Sequence, residues 1–435
     1  MSNTNTSIGG GTRASLSAMM FLQFFIWGAW YTTIAVYMTS QQMGHLTHWP
    51  FTVNPVAAIA APFFVGLVAD RYFATEKVFG ILHLIGGLLL LAVPRTTGNP
   101  GLFITLLLLY NLCYMPTLGL SSSLAFHNIA DQEKQFPKIR VWGTIGWIVA
   151  GLFISFGLSR FASGGKAEET ALPLYSAAIA SLVLAAYSLT LPHTPAPARG
   201  QAVSARSIIG VDAFKQLGSP SFYVFIASAL LICIPLAAYY NFTQLYLQAA
   251  SVKNIAATQT LGQMSETLFM LAMPVLFARW GVKKMLLAGM GAWVARYVLF
   301  SAAAPGAVYW LIALGILLHG ICYDFFFVTG QIYVDKKSTA AIRGQAQGLF
   351  VFVTYGVGML IGAQVAGNVY NRFLGGATSL TLDQWKTFWL LPAGFAAVIL
   401  VFFGLTFHDR EEAAARAGVV AGEAPAAARA EKSRV

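Results

Sequence analysis

Twelve predominantly apolar stretches, each about 20 residues long, recur along this chain of 435 residues. A helix of that length spans a hydrocarbon layer of about 30 Å. The stretches lie near 15–40, 50–69, 77–95, 101–127, 141–159, 173–191, 221–248, 256–279, 283–303, 308–335, 342–371 and 384–406. With 57% hydrophobic and only 10% charged residues, the chain has the composition of a membrane protein rather than a soluble domain. The fold class expected is all-α, with twelve transmembrane helices.

A net charge of +11 could point to nucleic acid, but its distribution argues otherwise. With the N-terminus placed inside, twenty of the lysines and arginines fall in inner loops and tails. Six fall on the outer side, and Arg296 lies within a stretch. That asymmetry follows the positive-inside rule and puts both termini in the cytoplasm. The basic excess therefore reports topology, and no nucleic-acid partner is expected. Cys113, Cys233 and Cys322 all fall in apolar stretches without metal-ligand spacing, so neither a disulfide nor a metal is expected. The polar N-terminal segment carries one arginine before a long first stretch and reads as the lead-in to helix 1, not as a cleaved signal.

The longest interior polar segment, 193–219, opens with His193, Thr194 and Pro195 and divides the stretches six and six. The expected organisation is an N-terminal six-helix bundle over 1–192, a cytoplasmic linker over 193–219, a C-terminal six-helix bundle over 220–407 and a cytoplasmic tail over 408–435. Weak internal symmetry supports this division. Gly66 to Arg71, after the second stretch, matches Ala278 to Lys284 after the eighth, and Ile139-Arg140 matches Ile342-Arg343 at the same six-stretch offset.

Of sixteen acidic residues only two lie well inside apolar stretches, Glu266 and Asp324. A carboxylate at a helix centre costs about 2.5–3.5 kcal/mol, which makes it a functional-site hypothesis by default. Gln263 and Glu266 share a helical face; the alternative is that they are interhelical polar glue. Asp324 is flanked by Tyr323, Phe325, Phe326 and Phe327, and desolvation there makes protonation accessible. Its alternative is a permanent ion pair with Arg140 or Arg296. His319 and Tyr323 sit on a neighbouring stripe, where His319 is either a proton relay or a substrate ligand. Arg140, Thr144 and Trp147 align at i, i+4, i+7, placing a guanidinium, a hydroxyl and an indole on one line; the alternative is a membrane anchor plus packing. Aromatic stripes at Gln23, Trp27, Trp30 and Tyr31, and at Leu236, Tyr239, Tyr240 and Thr243, serve either packing or the site. His83, His127 and His193, near stretch ends or in loops, carry no signal. There is no phosphate-binding loop and no hydrolase or metalloprotease motif, so no enzyme activity is expected.

Twelve stretches, a central linker and the Gly66-x-x-x-Asp70-Arg71 turn resemble the major facilitator superfamily, in which Asp70 would act as a cytoplasmic latch. Five strings are similar to its nucleoside:proton symporter family: FLQFFIWGAW at 21–30, YMPTLGL at 114–120, IRVWGTIG at 139–146, QMSETLF at 263–269 and DFF at 324–326. The resemblance implies a major facilitator fold and proton-coupled nucleoside import across a bacterial inner membrane. It implies a monomeric carrier that draws on the proton gradient and needs no cofactor. It places Arg140, Thr144, Gln263 and Glu266 at the substrate, Tyr323 nearby and Asp324 in binding or coupling. Leu236, Tyr239, His319 and Trp147 depart from the family's residues at contact positions. The substrate-binding set expected is therefore Arg140, Thr144, Trp147, Tyr239, Gln263, Glu266, His319 and Tyr323, with Asp324 and Glu266 for proton coupling. A facilitator or symporter for another polar solute, such as a sugar, is the alternative.

Overall fold

The computed structural model describes residues 10–64, 72–196, 210–339 and 342–408 and is helical nearly throughout. Ten helical stretches among these residues are long and apolar enough to cross a membrane. One of them, Ile255–Gly306, is two helices, because the backbone at Gly281 is non-helical (φ 68°, ψ −177°). A positive φ of this kind is open to glycine at little cost, and here it reverses the chain. The reversal brings Phe300 back to the helix preceding Ile255, where its carbonyl accepts from the Tyr246 hydroxyl at 2.8 Å. The described part of the second apolar stretch, Trp49–Phe64, is a further helix. The twelve expected helices are thus accounted for.

In chain order they are α1 (Gly10–Tyr31, continued by Ile34–Ser40), α2 (Trp49–Phe64), α3 (Thr75–Ala92), α4 (Pro100–His127), α5 (Gln132–Leu152) and α6 (Leu172–Tyr187). Next come α7 (Pro220–Ala249), α8 (255–280), α9 (282–303), α10 (Tyr309–Lys337), α11 (Arg343–Leu374) and α12 (Leu382–Thr406). Helix α5 starts about nine residues before its apolar stretch. The Asp131 side chain accepts from the Lys134 amide and caps a polar first turn. Arg140 consequently lies two turns inside α5 rather than at its opening. The Asp70-Arg71 turn, the linker over 197–209 and the tail over 409–435 lie outside the described residues.

Helix α1 packs on α5 and α6, and α3 on α4 and α6; in the second set α8 and α9 pack on α10 and α12, and α7 on α11 and α12. These contacts make two bundles. Backbone approaches are close because glycines face neighbours: a β-carbon at Gly146 would lie 2.2 Å from the Phe21 carbonyl oxygen, and one at Gly28 3.1 Å from the Trp147 ring.

Hydrogen bonds between the bundles gather at one end of the molecule. Gln244 accepts from the Ala35 amide (2.9 Å), Gln259 donates to the Thr32 carbonyl (2.9 Å), Gln364 to the Thr52 hydroxyl (2.7 Å) and Asn371 to the His45 carbonyl (2.9 Å). At the start of α8 the Ala257 amide donates to Ser155 Oγ (3.0 Å). Ser155 in turn donates to the buried Glu168 carboxylate (2.8 Å). At mid-depth Tyr355 donates to Asn54 (2.5 Å), which donates to Asn111 (2.8 Å).

Candidate substrate-binding cavity

Between the bundles lies a cavity of about 570 Å³, within the usual range for small-molecule sites. Helix α5 contributes Arg140, Thr144 and Trp147 to its wall, α8 contributes Gln263 and Glu266, and α10 contributes Tyr323. These six expected residues, drawn from three helices and both bundles, surround one space. The Arg140 guanidinium lies 4.1 Å above the Phe24 ring. Arg140 and Glu266 attract across the cavity without an ion pair, which leaves both groups able to bind a ligand.

Much of the rest of the wall is aromatic. Trp27 and Trp147 meet edge to face at 5.4 Å, Tyr31 packs against Trp27 (5.8 Å) and Tyr240 (6.0 Å), and Tyr355 closes on Trp27 at 6.3 Å. Flat, electron-rich walls facing a guanidinium, an amide and a carboxylate suit a ligand with one planar aromatic part and one part rich in hydroxyls.

Three expected residues do not line the cavity. On α7 the residues facing it are Cys233, Leu236 and Tyr240; Tyr239 points into the C-terminal bundle, beneath the Arg296 guanidinium at 4.1 Å. His319 is buried behind this wall, stacked on Tyr239 (5.2 Å) with Nε2 3.5 Å from the Tyr240 hydroxyl. Asp324 is fully buried, and among the described residues neither carboxyl oxygen has a hydrogen-bond partner. It forms no ion pair with Arg140 or Arg296, so the arginine-pair alternative is not what the structure holds. Arg296 donates instead to the Gly315 carbonyl (3.1 Å).

Sequence reasoning missed Tyr355 and Thr354 in the wall; a lone polar residue in an apolar run gives no sign of which neighbour it faces. It also passed over His83, which is buried and bridges Ser181 (3.1 Å) and Gln23 (2.7 Å). Its position six residues inside an apolar stretch was the signal available. Among the described residues no group of His, Cys, Asp and Glu side chains could hold a metal ion.

Two bundles around a central cavity with charged groups at mid-depth define a secondary transporter of the major facilitator type. Residues 11–412 match the family model for the nucleoside H+ symporters. The chain is 38% identical to the Escherichia coli K12 protein YegT, which bears a nucleoside-transporter name, over 92% of this chain and 95% of that protein. It is 32% identical to the xanthosine permease of Escherichia coli K12, over 92% and 98%. The crystal structure of the nucleoside transporter NupG superposes with a TM-score of 0.81 at 31% identity, covering 92% of this chain and 99% of that one. The chain belongs to the nucleoside H+ symporter family. It is a transporter and not an enzyme.

Proposed function

We propose that this protein carries nucleosides inward with protons across a bacterial cytoplasmic membrane, and that the cavity between the bundles is the nucleoside site. The observation carrying this reading is the convergence of Arg140, Thr144, Gln263 and Glu266 on one aromatic-walled space. In it the four polar side chains bind the ribose hydroxyls, while Trp147, Tyr323 and Tyr240 hold the base. Tyr239 and His319 act from behind, fixing Tyr240. Residues 1–192 and 220–407 are the moving units and 193–219 the tether, with both termini cytoplasmic and one chain sufficient for transport. On that orientation the hydrogen-bonded end faces outside and the cavity faces the cytoplasm.

Asp324 carries the proton and Glu266 links it to the ligand. A protonated acid tolerates closure in a low-dielectric interior that a carboxylate resists. One charge crossing about 100 mV supplies about 2.3 kcal/mol, enough for roughly a 40-fold nucleoside gradient. The proton gradient is the energy source, and no cofactor is needed.

The test is uptake into proteoliposomes of labelled uridine, adenosine, xanthosine and a hexose, with and without an imposed proton gradient. Gradient-driven accumulation of one or more nucleosides is expected. Hexose accumulation alone, or nucleoside uptake indifferent to the gradient, would overturn the reading.

A further inference from the structure

Helices α8 and α10 meet backbone to backbone where Gly320 rests on the peptide joining Ser265 to Glu266. A β-carbon at Gly320 would lie 2.6 Å from the carbonyl carbon and oxygen of Ser265 and 2.7 Å from the Glu266 amide nitrogen. One turn before the crossing, Gly262 faces the His319 side chain at 3.2 Å. The Ser265 hydroxyl donates to the Leu317 carbonyl and fastens the same crossing a second time. Both helices run in the same direction from the hydrogen-bonded end, so their residues stay in step. Asp324 is one turn beyond Gly320 and opens a π-helical segment, Asp324–Val328. Such segments gather at functional sites.

We propose that Gly320 is the positioning residue that registers Asp324 against Glu266. Its missing side chain lets α10 rest on the α8 backbone at Glu266, so a shift of one acid is passed to the other. The inference rests on the reading that these two acids couple proton to nucleoside. The buried, unpartnered carboxyl of Asp324 supports it independently. Among the described residues that group has no hydrogen-bond partner to hold it in place, so the backbone contact one turn away fixes its position. The groups facing the pair are Arg140 from α5, Tyr240 from α7 and Tyr323 from α10. Tyr323 lies near both acids, but it belongs to α10 alone, whereas the contact at Gly320 joins the main chains of α8 and α10.

The contacting atoms are main chain and cannot rotate aside. Carbon contacts settle at about 3.5–4.0 Å, so Gly320→Ala forces the helices apart by about 1 Å. Proton–nucleoside coupling is read as the ratio of uridine affinities at acidic and neutral pH, measured on the purified full-length protein. Coupling of this kind is typically 5–150-fold. The wild type is expected to show a ratio on the order of tenfold, and Gly320→Ala a ratio within about twofold of one, with uridine still bound. Gly315→Ala is the control: it crowds the Phe300 ring at 2.5 Å on the same helix, away from the acids, and should keep the wild-type ratio.

A wild-type ratio in Gly320→Ala, or an equal loss in Gly315→Ala, overturns the proposal. If Gly320→Ala does not fold, Ser265→Ala removes the second fastening without adding bulk; a reduced ratio supports the proposal and an unchanged one overturns it. Glu266→Gln and Asp324→Asn separate the two levels of inference. If both keep the wild-type ratio, the coupling reading falls and this inference with it. If both lose it while Gly320→Ala does not, only the role of Gly320 falls.

Discussion

At the scale of single residues, the proposed division of work between the two acids follows from where each sits. Glu266 lines the cavity and Asp324 is sealed behind it. Glu266→Gln removes a charge-assisted contact worth about 1.5–3 kcal/mol, so nucleoside affinity should fall roughly 10- to 100-fold in equilibrium binding. Unchanged affinity would take Glu266 out of the site. Asp324→Asn is nearly isosteric and leaves a neutral side chain in a place without partners. It should abolish accumulation against a gradient while sparing counterflow exchange, and wild-type accumulation would refute the role. Both acids were legible in the sequence because a carboxylate amid apolar residues stands out. The distinction between Tyr239 and Tyr240 was not. Adjacent helical residues point about 100° apart, and which of them meets the cavity depends on how α7 is rotated against Arg296 and His319.

At the scale of helices, the pairing of α1 with α5 holds the polar half of the site in place. Gly146 and Gly28 bring Phe21 and Trp147 within van der Waals distance of the opposing backbone, which fixes the line of Arg140, Thr144 and Trp147 against Trp27. Gly146→Ala places a methyl 2.2 Å from a carbonyl oxygen, an overpacking that costs about 1–3 kcal/mol. A lowered thermal midpoint and a raised KM are expected together. Gly119→Ala, with nothing within 4 Å of the added carbon, should change neither. An unchanged midpoint in Gly146→Ala would show that the helices part freely. Apart from the start of α5, the apolar stretches located the described helix ends within about five residues, because hydropathy reports burial in lipid directly. They could not show the early start of α5, which depends on the Asp131 cap, nor the π-helical segments Asp324–Val328 and Phe352–Gly358. Such segments are set by packing against neighbouring helices, which leaves no trace in periodicity.

At the scale of the whole molecule, the Glu168 and Glu169 carboxylates accept across the bundles from the Ala256 amide (3.5 Å) and from Gln248 (3.2 Å). Beside them the bundles are latched at the same end by neutral hydrogen bonds, chiefly from glutamine, asparagine and serine. Each contributes about 0.5–1.5 kcal/mol, so the closed end is held by many small terms and can be released. Gln244→Ala with Ser155→Ala removes about 1 kcal/mol at the low end of that range, roughly a fivefold shift toward opening there. Spin labels at Gln42 and Thr378, which border a cleft at that end, should show a longer distance population in the double variant. An unaltered distribution would mean that the latch lies elsewhere. The sequence revealed the two bundles through its charge asymmetry and its linker, but not which end is closed, since one sequence serves both states of a rocking carrier.

The edge-to-face pair of Trp27 and Trp147, 5.4 Å apart at 68°, has a consequence outside transport. Two indoles at that separation couple their electronic transitions and give a near-ultraviolet circular dichroism couplet whose sign and size depend on their mutual angle. Both rings border the cavity proposed for the nucleoside, so a stacked base would disturb the couplet as it enters. Titration with uridine should therefore change the spectrum saturably, and Trp147→Phe should remove this pair's contribution and the response to uridine, leaving the contribution of the Trp385–Trp389 pair at 5.7 Å. The protein carries an optical gauge of its own occupancy, readable without label or gradient.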